Sequence, residues 1–66
     1  MKTIYGALVI YSEETTDGWR IRTDFEAFAS YHSALEYLNE TKDRFRKLEH
    51  FKYKMSQIYT IDEVRE

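Results

Sequence analysis

The chain has 66 residues, no cysteine and a formal net charge of −2 at pH 7. That length allows one domain with a small core, since a domain of ~60 residues buries only about 60% of the surface that its unfolded chain exposes. The absence of cysteine excludes disulfides, and the chain lacks the run of histidines that would indicate a stabilising metal. No window approaches the ~18 apolar residues of a membrane span, and no secretion signal opens the chain. We therefore expect one soluble, cytoplasmic domain over residues 1–66, with no membrane partner and no cofactor.

Two segments near the N-terminus carry the pattern of β-strands. Residues 3–12 are rich in β-branched and aromatic types, and residues 19–28 alternate between two kinds of side chain. The TTDG segment between them ends in Asp17 and Gly18, residue types that tolerate or require a positive φ in a turn. The sequence therefore predicts a β-hairpin, with TTDG interpreted as a four-residue loop.

A helix and a third strand are predicted after the hairpin. Ser30 is a suitable N-cap residue, and apolar side chains recur at helical spacing after it, with Lys42 as an interruption. The members of this apolar stripe are Tyr31, Ala34, Leu35, Leu38, Phe45 and Leu48. Residues 51–61 begin with aromatic side chains alternating with lysines, which indicates a third strand.

The order of these elements predicts the topology. A hairpin followed by a right-handed helical crossover places the third strand beside the first and antiparallel to it. We therefore expect an α+β domain of the ββαβ type, with a three-stranded antiparallel sheet of order 2-1-3 and one helix packed on one face. The first strand becomes the central strand, which accounts for its being the most apolar of the three.

The register of the hairpin decides which side chains share a face, because a slip of one residue exchanges the two faces. With the TTDG loop, Glu14 lies opposite Trp19, and the pairs continue down the hairpin to Tyr5 opposite Phe28. We expect the helix to cover the face that carries Ile4, Leu8, Ile10, Ile21 and Phe25, with Gly6 and Ala27 leaving room for its approach. The other face is then open and is predicted to bind a partner through Tyr5, Val9, Tyr11, Arg20, Arg22, Phe28, Lys52 and Lys54.

No pattern of residues indicates an active site. The only histidines, His32 and His50, fall near the ends of the predicted helix. His32 and Glu36 have the i, i+4 spacing that can hold a metal, but a third ligand is missing. Nor does the chain contain a glycine-rich phosphate loop. We therefore expect neither an enzyme nor a metal site.

The leading hypothesis is a non-enzymatic protein-binding module. Exposed Tyr, Phe and Arg on an uncovered sheet face are typical of protein interfaces. Binding is expected through that face or through the free edge of the second strand, and a homodimer whose open faces cover each other is a further alternative. In size and lack of a site, the chain resembles in kind the accessory proteins with which phages and mobile elements inhibit or redirect a host enzyme.

The alternative hypothesis is binding of RNA or single-stranded DNA by the same predicted binding face. Residues 42–54 hold six Lys or Arg against two Asp or Glu, with aromatic residues interleaved. Proteins that bind single strands combine such cations with rings on which bases stack. The net negative charge argues against this alternative, as do Asp24 and Glu26, which would repel phosphate.

Overall fold

The computed structural model describes residues 2–63 of the chain. Its elements are β1 (Lys2–Thr15), β2 (Gly18–Phe28), α1 (Tyr31–Lys47) and β3 (Phe51–Glu63). The strands form one sheet of order β2-β1-β3, in which β1 is antiparallel to both neighbours. The predicted ββαβ architecture, with its α+β class and strand order, is confirmed. The described part of the chain contains no helix with the length and apolarity needed to cross a membrane.

The hairpin has the predicted register but a shorter loop. Glu14 lies opposite Trp19, and the pairing continues without a break to Tyr5 opposite Phe28. The predicted four-residue loop is wrong, because Thr15 and Gly18 also pair and only residues 16–17 form the turn. The hydroxyl group of Thr15 helps to close this turn by donating to the carbonyl oxygen of Gly18 over 2.7 Å. Gly18 has a φ of 115°, a conformation that glycine adopts without steric cost.

Helix α1 begins where the sequence predicts. Ser30 has extended backbone angles, and its side-chain oxygen accepts a hydrogen bond of 3.2 Å from the backbone N–H of Ser33. This bond satisfies one of the N–H groups that the first turn of a helix leaves without an intrahelical partner. The helix therefore has a defined start directly after β2.

The buried stripe of α1 is narrower than predicted and lies in a slightly different place. Its members are Ala34, Leu38, Thr41 and Phe45. Tyr31, Leu35 and Leu48 were expected on the stripe, but they are 38 to 54% exposed. Thr41 continues the helical spacing between Leu38 and Phe45, so Lys42 does not interrupt the buried face.

The core between α1 and the sheet is small and is surrounded by aromatic rings. Its buried apolar members are Ala7, Val9, Ala34, Leu38 and Phe45. Small side chains at its centre let the helix backbone approach the sheet. Tyr11 stacks on Phe45 with ring centroids 4.6 Å apart, and Phe51 stacks on the same ring at 5.7 Å. The rings supply the apolar area that the small central side chains lack.

A β-bulge interrupts the pairing of β1 with β3. Ile10 lies opposite Met55, whereas Tyr11 lies opposite Tyr53, so Lys54 is the extra residue. The bulge changes which positions of β3 face the helix. Tyr53 before it and Ile58 after it both pack against the core. The predicted alternation, which puts Lys52 and Lys54 on one face, is therefore broken at Lys54.

Candidate interaction surface

The helix covers the face of the sheet that the sequence analysis predicted to be open. Val9 is fully buried beneath α1, and Tyr5, Tyr11 and Phe28 pack against the same core. The Tyr5 ring also meets the Tyr31 ring edge-on at 5.9 Å. The prediction that these four sheet residues form an exposed binding face is wrong.

The two predicted arginines lie on the helix side of β2, toward its free edge. The side chain of Arg22 is 51% exposed and forms an ion pair with Glu13. The side chain of Arg20 is 63% exposed, and its guanidinium lies 3.9 Å from the carboxylate of Asp17. Both arginines are accessible, whereas the aromatic residues of the predicted site pack against the core.

Of the two predicted lysines, Lys52 lies on the other face of the sheet from the rest of the predicted site. Lys52 pairs with Ser12 and lies on the face away from the helix, with its ammonium group 4.5 Å from the centroid of the Trp19 ring. Lys54 is exposed at the bulge. The eight predicted partner-binding residues therefore do not form one surface.

The length of the turn explains why the faces were exchanged. The N–H of Glu14 donates to the carbonyl oxygen of His50 over 2.8 Å, so the backbone groups of Glu14 point toward β3. Since alternate residues of a strand bond to opposite neighbours, the odd-numbered residues of β1 bond to β2. In a strand of L-residues, this direction determines the face on which the side chain lies, and a right-handed crossover then places α1 over the odd-numbered residues. In the predicted four-residue loop, Glu14 and Trp19 would form the last hydrogen-bonded pair before the turn. The same crossover would then have placed α1 over the even-numbered residues of β1.

The uncovered side of the sheet, which we call the open face, is apolar along most of its length. Its large apolar side chains are Ile4, Leu8, Ile10, Trp19, Ile21, Phe25, Met55, Tyr59 and Ile61. Six of the nine are 41 to 66% exposed, whereas those on β1 are half-buried between the neighbouring strands. The sequence pattern assigned the members on β1 and β2 to the core and did not reveal those on β3. It does not show the residues on β3, because the bulge at Lys54 moves Met55, Tyr59 and Ile61 onto this face.

Among the described residues that pair in register, those that carry charge on the open face lie at its ends. Lys2 lies at one end, and Glu14 and Lys52 lie at the other. Between them the polar positions hold uncharged residues, among them Ser12, Thr23 and Gln57. The centre of the face therefore offers apolar contacts and very little electrostatic attraction.

Each of the two histidines contacts a glutamate at the surface. His32 Nε2 lies 3.1 Å from Glu36 Oε1 on the same helix, and His50 Nδ1 lies 2.9 Å from Glu14 Oε1. His50 therefore joins the start of β3 to the end of β1. Among residues 2–63, no group of three or more His, Cys, Asp or Glu side chains is placed to hold a metal ion.

Comparisons with known proteins do not connect this surface to a family. No protein-family model matches the chain, and neither curated proteins nor solved structures gave a match. The chemistry of the open face is therefore the basis for inferring a function.

Proposed function

We propose that this domain is a non-enzymatic protein-binding module and that the open face is its interaction surface. The observation that supports the proposal is the exposure of six large apolar side chains, each 41 to 66% accessible, on one continuous sheet face. The helix lies on the opposite side, and within residues 2–63 no other segment covers these side chains. Burial of this apolar area against a partner supplies the driving force for association.

The size of the open face suits a specific interface. The shortest strand has 11 residues. At ~3.3 Å per residue and about 4.8 Å per strand, a three-stranded face of that length covers on the order of 500 Å² before side-chain relief is counted. The largest apolar patch of a typical monomeric protein is about 300 to 600 Å² and is often functional. The whole open face, with its apolar and polar positions together, is of comparable size.

The composition of the open face also favours a protein partner. Trp19, Phe25, Tyr59 and Met55 belong to residue types that are enriched where binding energy is concentrated, whereas charged residues are depleted there. Lys52 stacks on the Trp19 ring at one end, where the surface becomes polar. An apolar centre with charges at its ends matches the usual arrangement of a protein interface.

The structure supports nucleic-acid binding less well than the sequence does. The rings proposed to stack on bases, those of Tyr5, Tyr11 and Phe28, pack against the core beneath the helix. Among the described residues that pair in register, none at the centre of the open face is a cation, and phosphate neutralisation by Lys or Arg dominates affinity for nucleic acids. A protein partner is therefore the stronger proposal. The cytoplasmic location and the role as an inhibitor from a phage or mobile element stay predictions from the sequence.

A capture experiment with matched variants tests the proposed function. Ile21→Lys and Met55→Lys each place a charge on the open face, and Leu35→Lys places the same charge on the exposed side of the helix. Circular dichroism and thermal unfolding first establish that all three variants fold. We expect tagged wild-type protein and Leu35→Lys to retain the same proteins from nuclease-treated lysate, and the two open-face variants to lose them. Equal capture by all four proteins would contradict the proposal.

A further inference from the structure

Strand β2 offers a long edge to which another strand can pair. It is paired with β1 over 11 consecutive residues without a bulge, and no strand within residues 2–63 pairs with its other side. Because its even-numbered residues bond to β1, the N–H and C=O groups of the odd-numbered ones point outward. These residues are Trp19, Ile21, Thr23, Phe25 and Ala27. The opposite edge, β3, carries a bulge at Lys54, which is a usual means of preventing such pairing. The unprotected edge is therefore that of β2.

The charged residues of β2 lie at symmetric positions about Thr23, and the sign of the charge changes there. Arg20 and Arg22 precede Thr23, and Asp24 and Glu26 follow it, all on the helix side of the strand. Two such strands running antiparallel bring the basic half of each against the acidic half of the other. The pattern is thus complementary to itself.

We propose that a second copy of this chain pairs with β2, antiparallel and with Thr23 opposite Thr23 of the copy. In that register Arg20 lies opposite Glu26 of the copy and Arg22 lies opposite Asp24 of the copy. The two-fold axis repeats each pair, so four pairs of opposite charge form. The product is a six-stranded antiparallel sheet with both helices on one side and both open faces on the other. This inference does not depend on the proposed function.

The charge pattern selects this register against its neighbours. A shift of two residues in one direction puts Arg22 opposite Arg22 of the copy, and a shift in the other direction puts Asp24 opposite Asp24. Like charges directly opposite each other destabilise a strand pair. A shift of one residue would turn the helix of the copy to the other side of the sheet and break the two-fold symmetry. Of these registers, only the one with Thr23 on the two-fold axis places every charged side chain opposite one of the other sign.

The backbone of the pairing agrees with this arrangement. The odd-numbered residues exchange the hydrogen bonds between the copies, so the charged residues occupy the non-hydrogen-bonded positions between them. At those positions opposed Cα atoms lie about 4.5 Å apart and side chains approach most closely. The acidic side chains are available for this role, because within residues 2–63 neither Asp24 nor Glu26 forms an ion pair.

Charge reversal at the axis tests the proposal. Sedimentation velocity over a micromolar to millimolar concentration series measures the dimer dissociation constant of wild type, Arg22→Asp and Asp24→Arg. Each single reversal places like charges opposite each other twice, and we expect it to raise the dissociation constant at least about tenfold. An equimolar mixture of the two variants restores opposite charges at both positions, and we expect it to form a heterodimer with an affinity near that of wild type.

Several results would overturn the proposal. These are a wild-type protein that stays monomeric at millimolar concentration, single variants that dimerise like wild type, and folded variants that do not associate when mixed. Dimerisation that survives both reversals but is lost in Met55→Lys would mean that the copies pack through their open faces instead. If either axis variant fails to fold by circular dichroism, the outer pair, Arg20→Asp with Glu26→Arg, provides the same test.

Discussion

The ring of Phe25 lies across Gly6 on the neighbouring strand. A Cβ atom built on Gly6 would lie 2.7 Å from Cε2 of Phe25, which is closer than real Cβ contacts allow. Phe25 pairs directly with Leu8, so its ring reaches along the strand to the position that lacks a side chain. The predicted role of Gly6, to leave room for the approach of the helix, is wrong. Gly6 instead receives an aromatic ring on the open face.

Replacement of Gly6 by alanine tests this contact. A methyl group there displaces the Phe25 ring, and the lost packing offsets the gain of about 0.5 to 1 kcal/mol that alanine has over glycine inside a strand. We expect Gly6→Ala to leave the free energy of unfolding unchanged or to lower it by up to about 1 kcal/mol. In a Phe25→Ala background, the same change is expected to stabilise the domain. Urea unfolding of all four proteins measures the coupling, and a zero coupling energy would contradict the contact.

Two charged substitutions on opposite faces test which face the helix covers. Tyr11→Glu puts a carboxylate beneath α1, against Phe45, and removes a packed ring. We expect a loss of at least about 3 kcal/mol, which is enough to unfold a marginally stable small domain. Ile21→Glu lies on the open face, where the side chain is 66% exposed, and is expected to cost less than about 1 kcal/mol. Circular dichroism under urea distinguishes the two variants. A folded Tyr11→Glu variant together with an unfolded Ile21→Glu variant would show that the helix covers the other face of the sheet.

A pair of leucines on α1 tests the position of the buried stripe. Leu38 is 5% exposed, whereas Leu35, which the spacing also assigned to the core, is 38% exposed. We expect Leu38→Ala to lower the free energy of unfolding by about 2 to 5 kcal/mol, because it leaves a cavity under the helix. Leu35→Ala removes the same atoms from a partly solvated site and is expected to cost clearly less. Equal losses in urea unfolding would show that the stripe is as wide as the sequence suggested.

Tyr37 gives the stability of the domain a dependence on alkaline pH. Burial, and then the nearby carboxylates of Asp24 and Glu26, raise the pKa of Tyr37 above its ordinary value of 10.0. The folded state therefore holds this proton more firmly than the unfolded state does. Its contribution to stability is fully present below pH 10 and is lost as the pH rises through the pKa of the folded state.

The corresponding measurement is urea unfolding at several pH values on either side of 10. We expect the free energy of unfolding to fall with pH above 10, and to fall less steeply in Tyr37→Phe, which has no phenolic proton to lose. The same slope in both proteins would contradict an effect of Tyr37.

Several features of the fold are determined by local sequence. Ser30 caps the helix because its side chain can reach a free N–H of the first turn. The register that puts Glu14 opposite Trp19 follows from the alternation in β2 and from the turn residues between the strands. The strand order agrees with a hairpin followed by a right-handed crossover, the hand that such connections take for almost any sequence. Each of these depends on neighbours in the chain or on a general rule, so the residues themselves are sufficient.

The face that the helix covers was decided by tertiary structure. Strand β1 is apolar on both sides, so its pattern does not distinguish a core side from an open side. The choice depends on whether Thr15 and Gly18 pair across the turn, since that pairing determines which residues of β1 bond to β2. The bulge at Lys54 depends in the same way on long-range pairing with β1. The candidate surface could not be located from the sequence, because small differences in hydrogen bonding between distant segments decide which apolar side chains remain exposed.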